Sequence, residues 1–503
     1  VNVDAKIEAI VRDYIMPGEY FTINRARQYG KTTTLALLRR RLAADCFVLD
    51  MSFEGAESYF TSLENLVNGV LRNFTQLSKR EFPELAKIWE RKADAEFPLD
   101  DLGDRITEFC GAAGRGVVLM IDEADKASDY GVFSAFLGLR RKKYLERSET
   151  GAPTFRSVIL AGVHDIKNLR AKIRPDAEHS YNSPWNIAAP FNIDMSFGPE
   201  EIATMLLEYE GDHQTGMDIM AVAGRLYYYT SGYPFLVSRL CKTMDETPLE
   251  WTAAGVDEAE NNLLRGWNTL FEDIIKNVTA YPLFSKLLED ILLNGQEFSF
   301  AFSNSAMNLG AMFGILKEDG RKAVVSNIIF ETVLYDYFTS KEETKLLFSC
   351  YTENKSLFIH DGKLDLGTVI NRFAAFMKAE YRDEDGAFIE RQARLLFLSF
   401  LKPIINGTGH YAVEPETRGS RRMDVVVFYG GEEHIIELKI WHGEQAAAEG
   451  YDQLVSYLKS RGQTRGYLVS FADNRKSPRE GRTFFPHEGC EITEVVVAYR
   501  DKE

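Results

Sequence analysis

The run Tyr29-Gly30-Lys31-Thr32-Thr33 lies between two segments of different character. Residues 20–24, Tyr-Phe-Thr-Ile-Asn, read as a short strand. Residues 31–44 read as a helix whose apolar side carries Leu35, Leu37, Leu38 and Leu42. A strand that turns through glycine straight into a helix leaves the helix's first N–H groups without backbone partners, and their partial positive charge suits an anion. The stretch Arg25-Ala26-Arg27-Gln28-Tyr29-Gly30-Lys31-Thr32 matches the phosphate-loop pattern GxxxxGK[ST] at Gly30, Lys31 and Thr32, with Arg25 where the first glycine belongs. In that chemistry Lys31 reaches the β- and γ-phosphates of ATP, Thr32 sets its hydroxyl on Mg²⁺ and Thr33 extends the cradle. Gly-Lys-Thr alone is about as often a chance loop-to-helix junction.

A second element, about 90 residues on, decides between the two. Val117-Val118-Leu119-Met120-Ile121 is uninterrupted and apolar, as a strand buried on both faces of a parallel sheet must be. It ends in Asp122-Glu123, at the edge where α/β sheets bind ligands. Asp122 is the candidate to hold Mg²⁺, and Glu123 the candidate to orient or polarise the attacking water. Cys46–Met51 and Ser157–Gly162 read as further strands, and Phe191–Met195 as one that closes the sheet. His164, just past the 157–162 strand, is a candidate sensor of the γ-phosphate, and an ordinary loop histidine fits equally well. A helical segment follows from Pro199 and ends in Thr230-Ser231-Gly232-Tyr233-Pro234, a helix-start turn.

The two stretches Phe21–Thr33 and Leu119-Met120-Ile121-Asp122-Glu123-Ala124-Asp125-Lys126 resemble the bacterial AAA-ATPase-like family, whose members typically read R-P-R-R-F-G-K-[ST] and I-D-E-Y-D. That family also lacks the first glycine; Ala26 and Ala124 stand where it usually has Pro and Tyr. The resemblance spans roughly residues 1–345. It implies a C-terminal PD-(D/E)xK nuclease-like domain downstream.

The remainder of the chain can be checked against that implication. Residues 282–294 and 303–313 read as helices and 314–325 as a hairpin, a winged-helix-like arrangement. Residues 281–340 carry four Lys/Arg against seven Asp/Glu, which favours a protein contact over DNA readout there. Further on, Phe388-Ile389-Glu390 opens a helix through Leu401, and Met423–Phe428 and His434–Ile440 flank Gly430-Gly431 as a hairpin. Strand alternation puts Glu437 and Lys439 on one side. Asp424 begins the paired strand, so its carboxylate can lie near Glu437. Two carboxylates and a lysine suit a metal-assisted phosphodiesterase: Asp424 and Glu437 would hold Mg²⁺ or Mn²⁺ through oxygen, and Lys439 would orient water or neutralise charge. Glu390 could add an acid. E-x-K alone occurs often by chance. The order Glu390, Asp424, Glu437-x-Lys439, then Tyr451–Tyr457 with Gln453 on a helix, resembles the PD-(D/E)xK superfamily over roughly 375–475. Arg418, Arg421 and Arg422 offer a local basic patch.

These readings predict an α/β chain in four parts. The P-loop ATPase core is expected at 1–196, a helical lid at 197–250, a winged-helix-like connector at 251–345 and a restriction-endonuclease-like α/β domain at 346–503. The expected function is ATP hydrolysis controlling a metal-dependent nuclease that acts on nucleic acid, DNA before RNA, in defence or mobile-element biology. The competing expectation is a nucleotide-dependent signalling switch whose nuclease-like domain only binds a partner. The net charge of −16 argues against general nucleic-acid binding and leaves room for a local basic groove. Five cysteines without a CxxC pair point away from zinc and disulfides and towards a reducing, cytoplasmic setting. No apolar run approaches the ~20 residues of a membrane span, and the first residues lack the apolar segment of a signal peptide. Partners through the connector and an oligomer are both compatible with the sequence. Arg170, Arg174 and Arg239 are arginine-finger candidates with nothing to choose among them.

Overall fold

Four strands, β1 (Tyr20–Asn24), β2 (Cys46–Ser52), β3 (Gly116–Asp122) and β4 (Ser157–Gly162), pair in parallel in the order β1-β4-β3-β2 in the computed structural model of the chain. It describes all residues except 91–96, 128–130, 164–184, 267, 293–295, 344–354, 381–389, 406–407, 414–423, 442–443, 461, 474–480 and 501–503. The chain divides into two compact units. The first comprises Val1–Tyr227, Ser231–Val256 and Met312–Gly314; the second comprises Tyr228–Thr230, Asp257–Ala311 and Ile315–Glu503.

In the first unit the two faces of β3 show why its sequence had to be apolar throughout. Val117, Leu119 and Ile121 join one core, while Val118 and Met120 join another. Helices α1 (Asp4–Ile10) and α2 (Lys31–Leu42) cover the second face through Ile7, Ile10, Leu35 and Leu38. Helices α3 (Leu63–Glu81), α4 (Pro98–Ala112) and α5 (Gly131–Thr150) cover the first, with Leu66, Phe74, Phe109, Phe133 and Phe136. The result is a three-layer α/β core whose strand order reverses beside β1, the place where such sheets take ligands at their C-terminal edge.

Phe191–Met195 is not a strand, contrary to the sequence expectation. Backbone pairing there amounts to a single bridge between Phe21 and Ala189. Side chains hold the segment instead: Phe191 stacks on Phe21 at 5.6 Å, and Asp194 accepts from the Ser196 N–H in a local turn that competes with a ladder. Helices α6 (Pro199–His213), α7 (Ile219–Thr230) and α8 (Pro234–Glu246) follow. Ser231 and Gly232 between α7 and α8 both have positive φ. Gly232 is obligatory there, because a Cβ would fall 2.0 Å from the carbonyl oxygen of Phe197.

The chain continues through α9 (Ala253–Arg265) and α10 (Thr269–Ala280). In the second unit, α11 (Pro282–Leu292) and α12 (Ser305–Met312) precede a hairpin of β5 (Leu316–Asp319) and β6 (Lys322–Val325). Gly320 and Arg321, both left-handed, make its turn. Then come α13 (Ile328–Glu343), the two-residue strands β7 (Ile359–His360) and β8 (Lys363–Leu364), α14 (Leu366–Glu380) and α15 (Glu390–Ile405). A mixed six-stranded sheet closes the chain: β9 (His410–Val413), β10 (Asp424–Tyr429), β11 (Glu432–Ile440), β12 (Arg465–Asp473), β13 (Gly481–His487) and β14 (Cys490–Arg500), in the order β13-β14-β12-β11-β10-β9. Helix α16 (Glu444–Ser460) lays Leu454 and Leu458 on one face, against Gly466 of β12. Phe373 of α14 meets Phe471 of β12 on the other. Among the described residues no helix is long and apolar enough to cross a membrane.

Candidate functional site

Gly30 takes the left-handed conformation, φ 78° and ψ 15°, and ends the loop directly ahead of α2. Gly30 brings no side chain to cap that helix and no acid lies in its first turn, an arrangement suited to an outside anion. Lys31, on the first turn, is only 7% exposed and donates from Nζ to the carbonyls of Ala26 at 2.9 Å and Arg25 at 3.1 Å. Thr32 donates to Asp122 Oδ2 at 2.6 Å, across 90 residues of sequence. Thr33 is exposed. Asp122 accepts the Glu123 N–H at its other oxygen, and Glu123 holds φ 52°, a strained backbone for a residue with a Cβ. Gly30, Lys31, Thr32, Asp122 and Glu123 are thus brought to one edge of the sheet.

The electrostatics follow from crowding three acids around one lysine. Burial lowers the Lys31 pKa, and the charges of Glu123, Asp125 and Asp122 oppose that shift. Burial raises the Glu123 carboxyl, with Asp125 and Asp122 adding to the rise and Lys31 opposing it. Asp125 was not singled out from the sequence, although it is the third acid of the same short run. Its carboxylate lies flat against Gly162, where a Cβ would be 2.6 Å from Oδ1. The Gly162 carbonyl in turn accepts the Arg25 N–H at 3.2 Å.

Arg25, the departure from the glycine pattern, turns its guanidinium away from the loop's mouth. It donates to the carbonyl of Ile193 at 2.8 Å and lies 5.4 Å over the Phe191 ring, which binds the segment that failed to pair as a strand. Two further supports were invisible in the sequence because they are distant along the chain. Tyr233 donates to the Arg27 carbonyl at 2.6 Å and meets Tyr29 edge to face at 4.8 Å. Gly314 lies against Ala26, its position for a Cβ being 2.7 Å away. His164, Arg170 and Arg174 fall outside the described residues, and Arg239 is exposed on α8.

In the second unit the expected hairpin forms, and Asp424 lies directly opposite Glu437 in the antiparallel register. The side chains of Asp424 and Glu390, and residues 418, 421 and 422 entirely, lie outside the described part. Glu437 is fully buried, and among the described residues neither carboxylate oxygen has a hydrogen-bond partner. Lys439 Nζ is 3.1 Å from Oε1, an ion-pair distance without hydrogen-bond alignment. Both residues face α16, since Glu437 registers with Leu468 and Lys439 with Ser470. A buried carboxylate with that one partner among the described residues is costly, and it has the donor chemistry to hold a cation. Among the described residues no three His, Cys, Asp or Glu side chains gather as a metal cluster.

No family model matches the sequence. No curated protein matches it either. Among solved structures, a Walker-type ATPase of Pyrococcus abyssi aligns over 66% of this chain and 93% of its own, at 14% identity and a TM-score of 0.41. The ORC2 protein of Aeropyrum pernix, with ADPNP and ADP, aligns over 67% and 95% at 11% identity and a TM-score of 0.34. The ORC1 protein of the same organism, in complex with DNA, aligns over 67% and 94% at 11% and 0.32.

Proposed function

We propose that the chain binds and hydrolyses ATP at the Gly30–Thr33 loop, and that residues 346–503 form a metal-dependent nuclease, acting on DNA before RNA, whose activity follows the nucleotide state. The observation that carries the ATPase half is the Thr32–Asp122 hydrogen bond at the open N-terminus of α2. Hydroxyl and carboxylate stand side by side where a nucleotide's cation would be held: Thr32 would bind Mg²⁺ by its hydroxyl and Asp122 would hold it through water, and the ion would neutralise phosphate charge. Lys31 exchanges two neutral carbonyls for the β- and γ-phosphates, a partner that favours its charged form where burial had opposed it. Glu123, its basicity raised by burial, orients the attacking water. ATP turnover by the full chain and by Lys31→Ala and Glu123→Gln tests this. A fall of about 100-fold or more in each is expected; unchanged turnover sinks the assignment.

The nuclease half rests on Glu437, whose buried oxygens have no hydrogen-bond partner among the described residues and would suit Mg²⁺ or Mn²⁺ together with Asp424, its register partner. The metal would supply charge stabilisation at the phosphodiester, and Lys439 would neutralise or orient beside it. Cleavage of single- and double-stranded DNA and of RNA, with Mg²⁺ or Mn²⁺, is expected from the parent chain and lost in Glu437→Ala and Lys439→Ala. The resemblance to the bacterial AAA-ATPase-like family and the PD-(D/E)xK superfamily supports the pairing of the two activities. The other reading, a nucleotide switch with a non-catalytic interaction module, is favoured by one observation: Lys439 already pairs with Glu437. No cleavage by the parent chain selects that reading.

A further inference from the structure

We propose that Glu494 is a positioning residue of the Glu437–Lys439 site: it pins helix α16 over the two by accepting from Tyr451 on the helix and from Ser470 beside Lys439. The inference rests on the nuclease reading of that site.

Glu494 lies on β14, two strands away from Glu437 and on the same face, since both register with Leu468 of β12. It is 5% exposed. Its Oε1 accepts from the Ser470 hydroxyl at 2.7 Å, and its Oε2 accepts from the Tyr451 phenol at 2.8 Å. Ser470 is the register partner of Lys439. Tyr451 follows Gly450, which places the helix directly over the lysine: a Cβ there would be in ordinary contact, 3.5 Å from Lys439 Cγ and 3.6 Å from Leu468. One carboxylate therefore sets both the height of α16 above the sheet and the strand position next to the lysine.

Apolar contacts alone would not fix that placement. Leu454 and Leu458 seat the helix against Gly466, farther along it than Tyr451, through contacts that have no preferred direction. Directional bonds from a phenol and a hydroxyl to one acid add an orientation, alongside the Asp452–His487 contact at 2.9 Å. A buried carboxylate is an expensive staple where Leu would pack at lower cost. Its presence on the same face as a second buried acid, Glu437, two strands away, is explained if the lysine's placement is what it secures. Tyr451 is held from its side too, by an edge-to-face contact with Phe485 at 4.9 Å.

Cleavage by the full chain is measured in Mn²⁺ for the parent, Tyr451→Phe, Glu494→Leu and Glu494→Gln, with ATP turnover and thermal midpoint followed alongside. Tyr451→Phe and Glu494→Leu are expected to lower kcat about tenfold or more, with KM within about twofold and ATP turnover unchanged. Glu494→Gln keeps an acceptor for Ser470 and can donate to the phenol oxygen, so it restores most of the rate. A double Tyr451→Phe/Glu494→Leu variant is expected to be no worse than Glu494→Leu alone. Parent-like cleavage by Tyr451→Phe and Glu494→Leu overturns the positioning role and leaves the nuclease reading intact. A rate loss that merely tracks a fallen thermal midpoint also overturns it, since that is a structural defect. Glu494→Gln as impaired as Glu494→Leu overturns it too, because the charge would then act on the chemistry. A parent chain that cuts nothing removes the nuclease reading, and this inference with it.

Discussion

The least economical side chain of the first unit is Arg140. It is 1% exposed, sits 4.6 Å and 5.4 Å from the ring centroids of Phe136 and Phe155, and none of its three guanidinium nitrogens has a hydrogen-bond partner among the described residues. Burial pulls its pKa down to about 10. Cation–π contact with two rings offsets only part of the lost hydration. Arg140→Met keeps length and apolar contact and removes the charge. It is expected to stabilise the first unit by about 1–3 kcal/mol in denaturant unfolding; a loss of that size would show that the guanidinium has a partner that compensates it. The loop residues contrast with Arg140. Lys31 is also buried, but two carbonyls accept from it and three nearby acids oppose the effect of burial, so its charge is partly compensated.

At the scale of elements, the turn between α7 and α8 is fixed by one glycine. Gly232→Ala forces a Cβ onto the Phe197 carbonyl oxygen from a positive-φ backbone and strains the Phe197 N–H to Gly232 carbonyl bond at 2.8 Å. A loss of about 2–4 kcal/mol is expected, read as a lowered thermal midpoint; an unchanged midpoint would mean the turn can open without cost. Strands at 116–122 and 157–162 were legible because parallel strands covered on both faces need unbroken apolar runs, and those at 20–24 and 46–52, at the ends of the sheet, because Thr22 and Asp50 alone interrupt theirs. The loop and the Asp122-Glu123 pair were legible because phosphate chemistry demands specific residue types at fixed spacing. Strands β12 and β14 were not, because buried Ser470 and Glu494 interrupt their apolar pattern and have meaning only once paired across the sheet. Phe191–Met195 misled for the converse reason: its pattern suits a strand, but ring stacking on Phe21 and the Arg25 guanidinium claimed it first. Tyr233 on Arg27 and Gly314 on Ala26 join residues some 200 and 300 positions apart, where no local pattern reaches.

At the scale of the whole molecule, neither unit is a continuous piece of chain. Tyr228–Thr230 belongs to the second although the residues on both sides belong to the first, and Met312–Gly314 belongs to the first although it lies within the second. A fragment ending at Val256 would contain every candidate residue of the nucleotide site yet lack Gly314, the backbone against Ala26. That fragment is expected to melt several degrees below the first unit's transition in the full chain. Equal midpoints would show that the three returning residues contribute nothing. The same interleaving bears on inheritance. A recombination event that swapped C-terminal halves between two such genes at position 256 would give each product a loop from one parent and its supporting Gly314 segment from the other. Crossovers downstream of Gly314 keep the two matched, so the stretch from the loop to residue 314 should be passed on as a single block.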